Sequence, residues 1–366
     1  MSDVHYMRRA LRLAERGRGR TSPNPLVGAV VVDSEGVVVG QGGHLFAGGP
    51  HAEIYALNEA GSRARGATLY CTLEPCCHVG RTGPCAPRII DAGIRRVVVA
   101  TGDPNPLVAG GGIAHLRANG VEVTTDVLRD EAELQNRAFM TVMRRRRPYV
   151  TLKAALSLDS RIAAAPGVRT PLTCAASNRL IHRQRAEIDA LAVGSGTILA
   201  DDPLLTARGA YRYRPLVRVI FDARLRTPPT ARVLSTLAAG PVIIMSTTAS
   251  QASAPDRARA LTGAGASLEL LQPETGRSVP VVSALRRLAE IGVTSLLVEG
   301  GTALHRAALH AGIVDCVQLY VTPRTVGELG QPWVPCDEFA IAALSDMTAV
   351  PVGDDAFIEG YVHRSH

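Results

Sequence analysis

The chain has 366 residues, 46% hydrophobic and 20% charged, with 35 Gly, 23 Pro and a formal net charge of +7. Such a composition reads as a soluble, loop-rich globular protein, and at roughly 150 residues per domain the length predicts two domains. Aromatics are only 4% with a single Trp, Trp333, which argues against a stacking platform for single-stranded nucleic acid. No apolar stretch reaches the ~18–20 residues of a membrane span, and the first twenty residues hold no apolar signal core. A cytoplasmic protein without membrane or nucleic-acid partners is expected, and the positive charge suits a small phosphorylated substrate.

In chain order, residues 4–16 have a helical apolar rhythm and end in the turn "TSPNPLVG". "VGAVVV" (27–32) and "VVVGQG" (37–42) flank "DSEG" as a hairpin, and "HAEIYALNEAG" (51–61) predicts a helix. "ATLYCTLEP" is a strand that runs into a cysteine loop, followed by the short helix "APRIIDAG", the strand "RRVVVATG" and the helix "GGIAHLRANG". Strands alternating with helices predict a three-layer α/β domain over residues 1–145. The basic run Arg144–Arg147 lacks interleaved aromatics and reads as a solvated face at a domain junction. A second alternation then fills 148–366, with strands at the start of "YVTLKAALSLDSRIA", in "DALAVGSG" and at 217–222, 241–246, 295–301 and 316–323. The Ala/Ser/Thr/Gly-rich stretch 247–275 reads as loops and a helix on the outside of the sheet, and no internal repeat links the halves.

Seven cysteines is an odd number, and Cys71, Cys76, Cys77 and Cys85 fall within fifteen residues. In a reducing compartment such a cluster is better explained by metal than by disulfides. A catalytic zinc site needs three protein ligands and one open position. His51, at the start of a helix, can supply the imidazole, and Cys76 and Cys85 the two thiolates, which together cancel the charge of Zn²⁺. The open position can then hold a water that loses its proton near neutral pH. Glu53, two residues after His51, is badly placed to be a ligand and well placed to move protons. A closed structural site would need Cys77 or His78 as fourth ligand, and both are immediate neighbours of Cys76. Cys71 lies within a strand as a small core residue. His44 either lines the pocket or is a buried structural histidine.

His-x-Glu followed by Pro-Cys and a second Cys is the signature of zinc-dependent nucleobase deaminases, although eight residues rather than two separate the cysteines here. "SPNPLVGAVVV", "HAE", "TLEPCCHVGRTGPC" and "DPNP" together resemble the deaminase half of the bifunctional riboflavin-biosynthesis deaminase/reductases, over nearly all of residues 1–145. The resemblance implies a cytidine-deaminase-like fold with His51, Cys76 and Cys85 on zinc and Glu53 as proton shuttle. It also implies that Asn24, Asp103 and Asn105 bind the pyrimidine and ribose, with His78 and Arg81 facing the substrate, Arg81 near its phosphate. Thr82-Gly83-Pro84-Cys85 stands where the family has Thr-Pro-Pro-Cys.

On its own, the second half offers glycines after a strand in "VGSGTILADDPLLTAR" (193–208) and between a strand and a helix in "LLVEGGTALHRA" (296–307). These are either phosphate-holding turns or plain tight turns, and neither is a G-x-G-x-x-G dinucleotide site. "LKAALSLDSRIA", "RQRAEIDALAVGSGTILADDPLLTAR" and "LLVEGG" resemble the reductase half of the same family, which implies a dihydrofolate-reductase-like α/β domain using NADPH. Lys153, Arg185, Arg208 and Glu299 then match substrate-facing positions, with Arg185 and Arg208 suited to the phosphate. Thr197, Asp201, Gly300, Gly301 and Thr302 match cofactor-facing positions. The chemistry implied is deamination of a diaminopyrimidine ribosyl phosphate followed by reduction of the ribosyl chain, in a homo-oligomer. "SLDS" replaces the family's "SLDG", Ala223 stands where Ser or Thr is common, and Arg169-Thr170-Pro171-Leu172-Thr173 replaces a Ser-x-Trp stretch. These departures raise the alternative of a paralogue with a working deaminase and a repurposed reductase-like domain. A zinc-stabilised nucleic-acid binder that exploits the positive charge is the reading from another class.

Overall fold

The computed structural model describes residues 2–77, 83–106, 108–273, 278–335 and 338–362. The chain forms two compact units that divide between Arg146 and Arg147. In the first unit the elements run α1 (Asp3–Ala14), β1 (Gly28–Val32), β2 (Val38–Gly43), α2 (Ala52–Ala60), β3 (Thr68–Cys71), α3 (Cys85–Asp91), β4 (Arg96–Val99), α4 (Gly111–Ala118), β5 (Glu122–Thr124), α5 (Arg129–Gln135) and α6 (Arg137–Arg145). The sheet order is β2-β1-β3-β4-β5, with β1 antiparallel to both neighbours and β3, β4 and β5 parallel.

Strand periodicity sorts the core into two faces. Ala29, Val31, Leu69, Cys71, Val97 and Val99 pack with α2, α3 and α6, whereas Val30, Val32, Tyr70 and Val98 pack with Tyr6, Met7, Ala10 and Leu13 of α1. The result is the three-layer domain that the alternation predicts. α2 rests unusually close on β2. A Cβ at Gly40 would lie 2.1 Å from the Ala56 carbonyl oxygen, and one at Gly42 would lie 2.6 Å from that of Ala52. Two glycines on the strand and Ala52, Ala56 and Ala60 on the helix leave the backbones almost in contact, with all three alanines buried.

The second unit runs β6 (Tyr149–Leu156), β7 (Arg161–Ala163), α7 (Ala175–Glu187), β8 (Ala190–Gly194), α8 (Ser195–Asp201), β9 (Val217–Phe221), β10 (Val242–Thr247), α9 (Thr248–Ser253), α10 (Pro255–Gly263), β11 (Ser267–Leu271), α11 (Val281–Glu290), β12 (Ser295–Val298), α12 (Thr302–His310), β13 (Cys316–Val321), β14 (Gln331–Pro332), β15 (Ser345–Val352) and β16 (Asp355–Tyr361). Nine strands form one sheet in the order β11-β10-β9-β8-β12-β6-β13-β16-β15. Neighbours are parallel as far as β13, and β16 and β15 close the other edge as an antiparallel hairpin. Val150, Leu152, Ala192, Leu296 and Val298 face one core cluster, and Leu191, Val193, Ile220 and Leu297 the opposite one.

Three local readings change. The stretch 247–275 holds two helices and an edge strand, β11, in register with β10. The basic run is not uniformly solvated: Arg144 forms a two-point ion pair with Glu133 at 2.9 Å, and buried Arg147 grips Asp315 at 2.6 and 2.7 Å. The desolvation of Arg147 is compensated by that carboxylate, a bidentate match a lysine would not make. Ser160 of "SLDS" sits at φ 60, a left-handed position that explains why the family prefers glycine there.

Because the seat of α2 depends on missing side chains, Gly42→Ala is expected to push the helix off the strand and cost about 1–3 kcal/mol of stability. Chemical denaturation measures the loss, and zinc retention should fall with it. A substitution that left both unchanged would show that α2 is not held by this contact.

Candidate active sites

The first site forms where α2, α3 and the loop after β3 converge. His51 is the residue preceding α2, in extended conformation, and its imidazole is not used as a cap. Cys85 opens α3, and its N–H points to the Cys76 sulfur at 3.4 Å. His51 Nδ1 lies 3.2 Å from Cys85 Sγ and 3.5 Å from Cys76 Sγ. The three ligand atoms lie within 4.8 Å of one another, close enough to share one ion. Cys77 Sγ is turned against α4, 2.9 Å from where a Cβ of Gly111 would stand. Cys71 is fully buried in β3, as a core residue should be.

Electrostatics fit a dication. The hydrogen bond to Cys85, aided by His51, draws the Cys76 thiol down to about 4, and the same hydrogen bond with burial pushes Cys85 well up. Two sulfurs sharing one proton can both ionise only when a cation joins them. Glu53 is 3% exposed, and its Oε2 makes no hydrogen bond among the described residues. A buried carboxylate oxygen without a partner among the described residues, close to three side chains that could hold a metal, is where a catalytic zinc site would need its proton acceptor. Burial is the largest influence on Glu53 and raises its carboxyl.

The residues expected to face the substrate are held by short hydrogen bonds of their own. His44 stacks edge-on to His51 at 5.6 Å, with Nδ1 3.0 Å from the Pro50 carbonyl and Nε2 3.1 Å from Asn24 Nδ2. If Nδ1 carries the proton toward that carbonyl, Nε2 is left to accept from Asn24 and fixes its amide. His44 is thus a buried histidine that contacts Asn24. Asn136, from the turn between α5 and α6, holds the same loop by bonds of 2.7 and 2.9 Å to the Leu26 backbone. Asp103 accepts the Asn105 N–H at 2.8 Å, which folds "DPNP" into a tight turn. His78 and Arg81 lie outside the described residues. Among the described residues nothing lies within 4 Å of a Cβ built at Gly83, where the family has proline.

The second site lies at the carboxyl ends of β6, β8 and β12, where open parallel sheets bind ligands. β12 is inserted between β8 and β6, and its register with β6 places Glu299 beside Lys153. Arg185 donates to both Glu299 oxygens at 2.7 and 2.5 Å and to the Thr206 carbonyl at 3.1 Å. Burial pushes Glu299 up, but Arg185 and Lys153 outweigh it and hold the carboxyl at about 2. Lys153 is pulled down by burial, with Arg185 adding to the effect against Glu299, and its Nζ lies 5.6 Å from the Tyr320 ring centroid. Arg208 is exposed; its backbone N–H meets His182. Desolvation and the neighbouring Arg185, Arg232 and Arg169 lower its pKa, which marks a strongly cationic corner.

Two bare turns meet here. The Gly194 N–H donates to the Gly300 carbonyl at 2.8 Å, and a Cβ built at Gly300 or Gly301 would meet Thr197 Oγ1 at 3.6 or 3.5 Å. Thr302 opens α12 behind them, and Asp201 closes α8, where burial raises its carboxyl against the pull of Arg169. Farther along the same edge, Ala223, Arg224, Ser250 and Arg257 line a cavity of about 510 Å³. A side-chain-free cradle flanked by a hydroxyl, with open space along the strand ends, suits an extended dinucleotide. Arg169 reaches this region electrostatically, while Thr170 Oγ1 takes the Ala164 N–H at 2.8 Å and shapes the loop.

A family model for the cytidine and deoxycytidylate deaminase zinc-binding region matches residues 1–101, and one for the RibD C-terminal domain matches residues 148–357. The riboflavin biosynthesis protein RibD of Bacillus amyloliquefaciens is 45% identical over 325 residues, 89% of this chain and 85% of the relative. The chain belongs to the RibD family. The Escherichia coli K12 member is 39% identical, with 89% of each chain covered. Among solved structures, Acinetobacter baumannii RibD superposes with a TM-score of 0.85 at 34% identity, and the Thermotoga maritima deaminase/reductase with 0.82 at 32%, each covering 98% of both chains. The protein is thus a bifunctional deaminase and reductase of riboflavin biosynthesis that uses zinc and NADPH. The repurposed-reductase alternative is not favoured, and no helix among the described residues is long and apolar enough to cross a membrane.

Two measurements check these sites. Cys85→Ser should lower zinc content of the purified protein severalfold or more, whereas Cys77→Ser should leave it unchanged; zinc loss in the second variant would reassign the ligand set. In α12, after the Gly300-Gly301 turn, buried His305 accepts from Trp333 Nε1 at 2.8 Å and lies 3.3 Å from the Val298 carbonyl. Burial lowers its pKa from 6.5 to about 4. The neutral ring is the folded form, so its contribution is complete above pH 6.5 and is lost as pH falls toward 4. Unfolding followed by Trp333 emission should lose stability over that window, and His305→Asn should flatten part of the slope.

Proposed function

We propose that deamination belongs to residues 1–145 and reduction to residues 148–366. The substrate is 2,5-diamino-6-(5-phosphoribosylamino)pyrimidin-4(3H)-one and the final product 5-amino-6-(5-phosphoribitylamino)uracil. The description of the Thermotoga maritima relative, a diaminohydroxyphosphoribosylaminopyrimidine deaminase and 5-amino-6-(5-phosphoribosylamino)uracil reductase, supports this choice. The observation that carries the reading is Glu53: a buried carboxylate with an unpartnered oxygen, two residues from His51 and beside both thiolates.

His51, Cys76 and Cys85 would hold zinc, which would supply the Lewis acidity that activates a water as the nucleophile. Glu53, raised by burial, takes a proton from the water whose oxygen adds to the ring carbon and passes it to the amino group, which leaves as ammonia when the C–N bond breaks. Asn24, fixed by His44, binds the pyrimidine edge, and the Asp103–Asn105 turn binds the ribose. His78 and Arg81 complete that contact set, Arg81 at the phosphate.

In the second unit NADPH supplies the reducing equivalents. Thr197, Asp201, Gly300, Gly301 and Thr302 seat the cofactor. Lys153 and Glu299 hold the sugar in a dry, charge-balanced position. Arg185 is already committed to Glu299 and keeps that carboxylate ionised and oriented, so Arg208 in its cationic corner takes the substrate phosphate. We read the enzyme as a cytoplasmic homo-oligomer with no nucleic-acid partner, as the family implies.

Glu53→Gln tests the central claim. The variant should keep its zinc and lose ammonia release by about 10²-fold or more, while NADPH oxidation with the deaminated substrate continues. Ammonia release at the wild-type rate would overturn the role of Glu53.

A further inference from the structure

Glu74 performs no step described above, yet it is 3% exposed and its side chain accepts hydrogen bonds from the "DPNP" turn and from the start of α4. Its Oε2 accepts the backbone N–H of Asp103 at 3.2 Å and of Gly110 at 3.0 Å, and its Oε1 accepts that of Ile113 at 3.0 Å. Its own N–H donates to the Thr101 carbonyl at 3.0 Å. The three donors belong to the "DPNP" turn, to the residue that precedes α4 and to the first turn of α4. These are N–H groups that no strand or helix ladder supplies with an acceptor. A carboxylate is the side chain that can take all three, because it accepts on both oxygens and complements the positive end of the helix.

The other end of the same short stretch is the metal. Glu74 is joined to Cys76 through Pro75, whose ring fixes the backbone. α4 is pressed onto that linker, since a Cβ at Gly112 would stand 1.9 Å from the Pro75 carbonyl oxygen. The tripeptide therefore carries the zinc ligand on one side and the anchor of the Asp103–Asn105 turn on the other. We propose that Glu74 is a positioning residue that sets the separation between the zinc ligand Cys76 and the substrate-binding Asp103–Asn105 turn. The inference rests on the reading of that turn as a substrate contact.

The test uses the zinc-loaded full chain and the Glu74→Gln variant. A glutamine keeps the volume but turns one acceptor into a donor, so at least one buried N–H faces another. Zinc content and NADPH-dependent reduction of the deaminated substrate should be unchanged. KM for the diaminopyrimidine phosphate in ammonia release should rise about tenfold, with kcat held within about threefold. Glu74→Asp, which keeps the charge and shortens the reach, should recover part of the KM. Equal KM in Glu74→Gln and wild type would overturn the inference, as would a joint loss of zinc, kcat and reductase activity, which would mark a merely structural role.

Asn105→Ala separates the two levels of the argument. If it leaves KM unchanged, the reading of the turn fails. If it raises KM while Glu74→Gln does not, the positioning role alone fails. If both raise KM, the double variant should fall short of the product of the two effects, because Glu74 acts through the turn; full multiplication would overturn the inference.

Discussion

The deaminase depends on the backbone-to-backbone seat of α2 on β2. Gly40 and Gly42 remove the side chains that would hold the helix away, and the alanines opposite them add almost nothing back. This close seating fixes where the first turn of α2 begins, and that turn carries His51 just before the helix and Glu53 just inside it. On the proposed reading, a ligand and a proton carrier two residues apart serve one ion only if the helix enters at one depth and one angle. Catalytic precision in this unit is therefore written largely in residues that have no functional groups.

The reductase reaches the same end by different means. Its key carboxylate is fixed by charge rather than by close packing, with Arg185 gripping Glu299 and Lys153 beside it in register. Burying a carboxylate without such partners would neutralise it, whereas two cations keep it ionised at every physiological pH. The adjacent glycine turns leave room for a cofactor beside this charged cluster. One site thus relies on sterics with a metal, the other on a desolvated ion network with a diffusible cofactor.

Much of this was legible from the sequence because it rests on residue types with few alternative uses. His51, Cys76 and Cys85 converge as their spacing and chemistry require, and the alternating apolar runs of both halves became strands of two sheets. What stayed hidden has a physical pattern. β11, "SLELL", is a short half-exposed edge strand whose signal is swamped by the small residues around it. Arg147 and Arg218 look like surface cations; Arg218 is fully buried and bonded to the Val233 and Thr236 carbonyls at 3.0 and 2.9 Å. Such partners, the distant Asp315 carboxylate for Arg147 and backbone carbonyls for Arg218, are brought close only by the fold. His44 and Glu74 were obscure for the same reason, since each acts on a neighbour's geometry. The Asn24 and "DPNP" positions came from family resemblance, and the hydrogen bonds around them supply the physical reason for their places.

The sheet of the second unit is also a matter of timing. β13 lies between β6, where the unit's sequence begins, and β16, near its end. During synthesis β6 emerges early and must wait for β13, and β13 in turn has an open edge until residues 355–361 have left the ribosome. That edge holds apolar side chains such as Leu319 and Val317, which are fully buried in the finished fold. A nascent chain stalled before the final hairpin would display a ready template for mispairing. The hairpin β15–β16 acts as the closing stitch, and the reductase cannot become fully native until it is in place.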